Sequence, residues 1–499
     1  MLHKINAPSL TQKLYRADQV RKHEKTAAEE QGLEMFSLMQ RAGKAVFEEC
    51  LNLIPNIDNY LIVVGVGNNA GDGYVVALQA KLAGKNVTVC AIDPNREVQG
   101  DVARAKHDWT ANGGRIGQFS PDLLNKADVV IDALLGTGIN GKIRSDFADV
   151  IDAINGATVP VLSIDVPSGL DADTGESLGR CVQADVTVTF VGIKMGLTTG
   201  AGKQSSGKLV FNDLGVGKTF AKHARSDAKA LDLAHFNGLQ PRQVNSHKGS
   251  YGRLLCIGGN HGMSGAIRLT AEAALRTGTG LVKVYCHTQS NTQVCAGRPE
   301  LMVISEGLDE ALEWATCIAI GPGLGRNDWS NAVFEKVMEY CQKHPKSIVI
   351  DADALNIKAL NTSFVALPDC VVTPHTGEAS RLLNVSIEEI EANRFNYARL
   401  CAERYDAVCV LKGAGTIIDN QKHSWVCRHG NPGMATAGMG DVLTGVIASL
   451  MAQGIDKSIA CQFGVSIHGK AGDLVAEAFG QRGLLASDLF AELRVLVNQ

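Results

Sequence analysis

No Cys-x-x-Cys pair occurs among the 13 cysteines, and no histidine joins a cysteine pair at zinc-ligand spacing, which argues against a preformed zinc site. The cysteines are odd in number and scattered through apolar runs such as Val87–Ile92 and Cys256-Ile257, a usage that suits buried reduced thiols rather than a disulfide framework and points to the cytosol. Charge excess is missing as well. With 48 Lys plus Arg against 52 Asp plus Glu, the net charge of −4 leaves no electrostatic footprint for nucleic acid or an anionic membrane, so the expected partners are small molecules. No apolar run reaches membrane-spanning length, and the first residues are dense in Lys, Arg, Glu and Gln without a signal-peptide core. A soluble, unexported, cytoplasmic chain is the expectation. Internal repeats and low-complexity tracts are absent too.

What is present is an α/β rhythm over 499 residues, a length that calls for two domains. Helical patterns over Ala17–Gln31 and Met35–Leu53 precede a first strand series: Leu61–Val66, a helix from Asp72, Val87–Ile92, a helix from Val98, Val129–Ala133 and Val161–Ile164. A second series runs through Leu254–Ile257, a helix over Ser264–Thr277, Leu281–Tyr285, Cys317–Ile320, Ser347–Ile350, Cys370–Thr373 and Ala407–Leu411, then a largely helical end from Asp441. Apolar periodicity lapses between Gly215 and Asp227, which places the boundary near Lys222 and the domains at 1–221 and 222–499. Alternating strands and helices predict parallel sheets, and ligands of such sheets sit outside the carboxyl ends of the strands.

The most informative stretch is Asn431–Gly445, in which backbone poor in side chains runs into an apolar helix, Val442 to Met451, with Asp441 at the junction. Glycines let successive N–H groups face one space, and the helix start favours negative charge there. Asp441 then reads either as a general base beside a transferring phosphoryl group or as a plain helix cap, and the two readings stand level. The first domain has its own turn, Gly65–Gly73, after a strand and before a helix. It lacks the dinucleotide fingerprint, and its Asn68, Asn69 and Asp72 bring side-chain oxygens that suit a cation as well as an anion or simply serve as turn and cap residues, two readings that stand level on turn chemistry alone. Asp132 and Asp165 each stand where an apolar strand stops, so Asn69, Asp132 and Asp165 can converge on one crevice. In the second domain Gly321–Gly325, Asp351-Ala352-Asp353, Thr373–Glu378 and Lys412–Thr416 all follow strands. His375 lies in a Pro- and Gly-bounded turn that favours ligand contact, and Lys412 can serve a phosphate, a carboxylate or a helix C-terminus.

These residues carry a resemblance. Asn68–Gly73, Val130–Gly138 and Ile164–Gly169 resemble motifs of the NAD(P)H-hydrate epimerases, while Gly321–Gly325, Pro374–Glu378, Lys412–Thr416 and Asn431–Gly445 resemble those of the ADP-dependent NAD(P)H-hydrate dehydratases. The likeness spans nearly the whole chain, with Ala70 and Ala437 standing where the family usually has glycine. It implies a Rossmann-like three-layer sandwich followed by a ribokinase-like α/β domain. It also implies hydrated NADH and NADPH (NADHX and NADPHX) as substrates, with ADP as co-substrate. By the same likeness Asp165 is the acid–base residue of the epimerase. Asn69, Asp132 and Ser168 would hold potassium, while Asn68, Ala70, Gly71, Asp72, Gly136, Thr137, Gly138, Ile139, Asn140, Gly141 and Lys142 would hold the dinucleotide. In the dehydratase Ala266, Gly323, His375 and Asp441 would face the hydrate, Asp441 acting as base, and Lys412, Gly413, Ala414, Gly415, Thr416 and Gly440 would bind ADP with magnesium. A homo-oligomer is expected. The competing readings are a small-molecule kinase of sugar or hydroxymethylpyrimidine type fused to a nucleotide-binding scaffold, and a dehydrogenase, which the failed Gly-x-Gly-x-x-Gly spacing disfavours.

Overall fold

A computed structural model describes residues 9–53, 56–139, 141–236, 238–360 and 366–499. It divides into two compact units, one ending at Lys229 and the other beginning at Ala230. The boundary expected near Lys222 falls inside the Gly217–His223 helix, because the lapse in apolar periodicity marks a short amphipathic turn of helix rather than a linker.

The first unit carries seven parallel strands in the order Ile116–Gln118, Asn86–Ala91, Asn59–Val64, Val129–Ala133, Val161–Ile164, Val186–Phe190, Lys208–Asn212. Alternate residues of each strand face opposite sides. Ile62 and Val64 pack with the helices Ala17–Glu29, Met35–Leu53 and Asn68–Leu82, whereas Leu61 and Val63 pack with Ser145–Asn155. The result is the expected three-layer α/β sandwich. Its order doubles back between Asn59–Val64 and Val129–Ala133, and the turns leaving those strands meet: a Cβ on Gly65 would stand 1.9 Å from the Leu134 carbonyl oxygen. Such a switch point is where parallel sheets open a crevice. A short parallel pair, Lys13–Tyr15 with Ile193–Lys194, ties the start of the Ala17–Glu29 helix to the segment after Val186–Phe190.

The second unit repeats the logic with seven parallel strands, Met302–Ile304, Leu281–Tyr285, Arg253–Ile257, Cys317–Ile320, Ser347–Ile350, Cys370–Val372 and Val408–Leu411 in that order. An antiparallel hairpin, Ile417–Asp419 and Ser424–Cys427, extends the edge. Met439–Ala452 is buried on nearly every side, as its apolar composition requires. It lies so close to Ser264–Thr277 that a Cβ on Gly445 would sit 2.1 Å from the Thr270 carbonyl oxygen. All 13 cysteines are free thiols, 12 of them buried. Among the described residues no helix is long and apolar enough to cross a membrane.

Candidate active sites

In the first unit the switch point opens into a cavity of about 560 Å³. Its wall includes Asn68, Asn69, Asp72, Gly136–Ile139, Asp165, Glu24 and Lys194. The helix expected from Asp72 begins at Asn68, so Asn68 and Asn69 occupy its first turn, where backbone N–H groups lack intrahelical partners. Ala70 and Gly71 are buried and lie outside the cavity lining, and Gly141 and Lys142 are exposed away from it. Asn140 lies outside the described residues.

Three candidate cation ligands converge. Asp132 is fully buried in the next-to-last position of its strand, Val129–Ala133. Its carboxylate accepts from Ser163 Oγ at 2.8 Å, Ser168 N at 2.9 Å and Ser168 Oγ at 2.5 Å. Ser168 Oγ also accepts from Leu135 N at 2.8 Å, and Asn69 Nδ2 donates to the Leu135 carbonyl at 2.9 Å. Asn69 Oδ1, by contrast, is buried with no hydrogen-bond partner. A buried amide oxygen left unpaired beside a second carbonyl is the donor set a hard monovalent cation would satisfy. Burial pushes the Asp132 carboxyl above its usual range, opposed by the bonds from Ser168 and Ser163.

Asp165 follows its strand in a left-handed conformation, φ +62°, that a non-glycine residue adopts only when its surroundings hold it there. Val191, another wall residue, does the same at φ +62°. One carboxylate oxygen, Oδ1, is held three ways, by Lys194 Nζ, by Thr189 Oγ1 at 3.1 Å and by Phe190 N at 3.2 Å. The other makes no bond and is left to the cavity. Lys194 is 2 % exposed and also donates to Thr189 Oγ1 and the Phe190 carbonyl. Burial drives Glu24 up to about 7 and Asp72 well above the carboxylate range, with Asp165 adding to both.

In the second unit Lys412 leaves its strand into a cluster of acids. Its ammonium donates to Asp351 Oδ1 at 2.7 Å and lies 3.8 Å from Glu378 Oε2. Burial opposes that charge, and Asp351 and Glu378 hold it protonated. Thr444 Oγ1 donates to Asp351 Oδ2 at 2.6 Å, which locks the acid to the Met439–Ala452 helix. That helix begins three residues before Val442, capped by Gly438 at φ +89°, so Asp441 lies inside the first turn and is not the cap. Its carboxyl makes no hydrogen bond, and burial together with Asp351 raises its pKa to about 6 against the pull of Lys412. Gly440 packs against the Lys412 ammonium.

His375 is the cap of Thr376–Leu383: its Nδ1 accepts from Gly377 N at 3.0 Å while Glu378 Oε2 accepts from His375 N at 2.8 Å. Burial, with Lys412 nearby, depresses its basicity. Glu378 is raised to about 7 by its own burial. Lys412–Thr416 is a tight connection between antiparallel strands, Gly413 and Ala414 exposed and Thr416 Oγ1 donating to the Gly413 carbonyl at 3.1 Å. Beneath it the buried Arg394 donates to the Lys412 carbonyl at 3.0 Å. Gly323, at φ +61°, stands against the backbone of Met263 and the methyl of Ala266, which puts those two candidates side by side. Neither Ala70 nor Ala437 has a positive φ, so the methyl groups that replace the usual glycines cause no strain. Among the described residues no group of three or more His, Cys, Asp or Glu side chains could hold a metal.

Two family models match the chain: "YjeF-related protein N-terminus" over residues 36–196 and "NAD(P)H-hydrate dehydratase" over 254–494. The chain is 41% identical over 501 residues to the bifunctional NAD(P)H-hydrate repair enzyme of Escherichia coli, covering 99% of this chain and 96% of that one. It is 42% identical to the Coxiella burnetii enzyme of the same name, over 97% and 99% of the two chains. The chain belongs to the bifunctional NAD(P)H-hydrate repair enzymes. It therefore pairs an epimerase unit with a dehydratase unit, and the small-molecule kinase reading is not favoured. Among solved structures, the ADP/ATP-dependent NAD(P)H-hydrate dehydratase of Bacillus subtilis, co-crystallized with ATP/Mg2+, is 29% identical with a TM-score of 0.48, over 52% of this chain and 93% of that one.

Within the repair-enzyme frame, Glu24, Thr189 and Lys194 are wall or support residues that the sequence motifs do not reveal. Glu24 sits on a charged helix and Lys194 in a two-residue strand, and only the parallel pairing of Lys13–Tyr15 with Ile193–Lys194 brings them to Asp165. Asp351 and Glu378 stand in motifs but carry no role there until Lys412 is seen between them.

Proposed function

We propose that the unit ending at Lys229 interconverts the R and S forms of hydrated NADH and NADPH at ring carbon 6. The unit from Ala230 dehydrates the S form, with ADP giving AMP and phosphate. The observation that carries this reading is shared by both units: at the carboxyl end of a parallel sheet, a carboxylate with at least one unbonded oxygen stands within electrostatic reach of a lysine, buried in the first unit and half-buried in the second. In the epimerase, Asp165 would exchange protons through its free oxygen while Asn68, Ala70, Gly71, Asp72 and the Gly136–Lys142 loop hold the dinucleotide. Asn69, Asp132 and Ser168 would hold potassium, supported by the orphaned Asn69 Oδ1, and the ion when bound would neutralise diphosphate charge.

In the dehydratase, Lys412–Thr416 and Gly440 would receive ADP, with the first N–H groups of Met439–Ala452 facing its phosphates. Ala266, Gly323 and His375 would line the hydrate. Asp441 would take the proton from the ring hydroxyl as that oxygen attacks the β-phosphate and AMP leaves, and the phosphorylated oxygen would then depart as phosphate while ring carbon 5 gives up a proton and the ring regains its double bond. Since Asp351 and Glu378 already serve Lys412, His375 and Thr444, magnesium would arrive on the nucleotide phosphates rather than in a protein cage. The test is product identity. Purified protein with the S hydrate and ADP yields AMP, phosphate and the restored dihydronicotinamide absorbance in equal amounts. A phosphorylated hydrate that accumulates without that absorbance sinks the proposal and revives the kinase.

A further inference from the structure

Epimerisation at ring carbon 6 needs two proton-handling groups. The hydrate carries its hydroxyl on the carbon bonded to ring nitrogen 1, so inversion through the open ring removes the hydroxyl proton and breaks the carbon–nitrogen bond. The bonding pair goes to nitrogen, which must take up a proton as the carbonyl forms. After rotation about the adjacent carbon–carbon bond, nitrogen attacks the other face of the carbonyl, returns its proton, and the new hydroxyl recovers the first one. Protons balance and no co-reactant enters. Asp165, held on Oδ1 and free on the other oxygen, supplies the first group.

We infer that Glu24 is the second catalytic residue of the epimerase, giving a proton to ring nitrogen and taking it back while Asp165 serves the hydroxyl. The inference rests on the function proposed above. Glu24 comes from the Ala17–Glu29 helix, a different wall of the same 560 Å³ cavity, so the two carboxyls can address different atoms of one bound ring. Among the described residues its carboxyl has no hydrogen-bond or ion-pair partner, unlike a structural glutamate such as Glu378, and it lies near enough to Asp165 and Lys194 for both charges to bear on it. Val20, Leu38 and Met39 add apolar side chains to the same cavity wall. Burial, with Asp165 adding to it and Lys194 pulling the other way, keeps Glu24 partly protonated near neutrality, as an acid that must also act as a base requires. The other charged groups facing the cavity are Arg21, Asp72, Asp101 and Lys194. Asp72 is the competitor, but it belongs to the helix whose first turn, Asn68 and Asn69, is assigned to the diphosphate end.

The test uses the full-length enzyme, R-form NADH hydrate and excess ADP, with epimerisation read through the chain's own dehydratase and the uncatalysed rate measured separately. Glu24→Gln lowers epimerase kcat by roughly 10²–10⁴ with KM within about threefold, and Glu24→Asp recovers part of the rate. Dehydration of the S form stays at wild type and the melting transition does not fall, since glutamine removes a carboxyl whose ionisation burial opposes, and this separates lost chemistry from lost folding. The wild-type rate declines above about pH 7, where Glu24 ionises, and the residual rate of Glu24→Gln lacks that decline. Glu24→Gln epimerising within about threefold of wild type overturns the inference, and Asp72→Asn losing the activity instead hands the role to Asp72. Asp165→Asn is the control: full activity in that variant refutes the assignment of the site itself, whereas its loss alongside an active Glu24→Gln refutes only the role of Glu24.

Discussion

Replacing Asp441 by Asn is expected to destroy dehydration and at the same time stabilise the fold. The carboxyl has a pKa of about 6 in the folded chain against an ordinary 3.8, from burial first and Asp351 second. An acid whose folded pKa is raised is favoured protonated, so ionising it costs stability. That cost is absent below about pH 4, grows through the window from about 4 to about 6, and is complete above it. At about 1.4 kcal/mol per pH unit the full cost is about 3 kcal/mol. Asparagine keeps the shape without the charge, so the second unit of the variant should resist denaturant by up to that amount at pH 7.5 and by almost nothing at pH 4. The assay is urea unfolding at the two pH values, paired with the rate of S-hydrate turnover. Turnover should fall by roughly 10²–10⁴. Were Asp441 only a helix-start carboxylate, asparagine, which caps about as well as aspartate, would leave both stability and turnover near wild type. A variant that is less stable at pH 7.5, or as active as wild type, refutes the reasoning.

Asn69→Ala should abolish any stimulation of epimerisation by potassium over sodium while leaving dehydration unchanged; equal stimulation in the variant and wild type removes Asn69 from the cation site. Gly445→Ala pushes a methyl against the Thr270 carbonyl at 2.1 Å, an overpacking expected to cost about 1–3 kcal/mol in denaturant unfolding, and an unchanged midpoint contradicts that packing. A fragment of residues 230–499 should fold cooperatively and dehydrate the S form unaided, since its seven parallel strands and its acid–lysine cluster all lie within it; aggregation would mean that its core is shared with the first unit.

Strand ends were legible where β-branched runs stop at turn residues. Val129–Ala133, Val161–Ile164, Cys317–Ile320 and Ser347–Ile350 fall where the runs place them, because strands buried on both faces are continuously apolar. Val186–Phe190 escaped notice since its alternating threonines dilute the run, although all five residues are buried. The helix Asn68–Leu82 begins four residues before Asp72, the start its sequence pattern suggests, because Gly71 and Gly73 imitate a turn. Candidate site residues are legible in the sequence where chemistry and glycine coincide, at Asp165, Lys412 and Asp441. Glu24 and Lys194 are not, for a charge on a polar helix or in a two-residue strand looks like solvated surface until tertiary packing turns it inward.

The central claim is that two separable chemistries act in turn on one damaged cofactor. It is tested most directly by giving wild type and Asp165→Asn a mixture of R and S NADH hydrate with excess ADP and following the recovered dihydronicotinamide absorbance. Wild type should consume the whole mixture in one phase, and the variant should consume the S fraction at the normal rate and then stall at the uncatalysed rate of epimerisation. Complete single-phase recovery by the variant, well above that uncatalysed rate, would contradict the assignment of epimerisation to Asp165, and no recovery by wild type would contradict the claim as a whole.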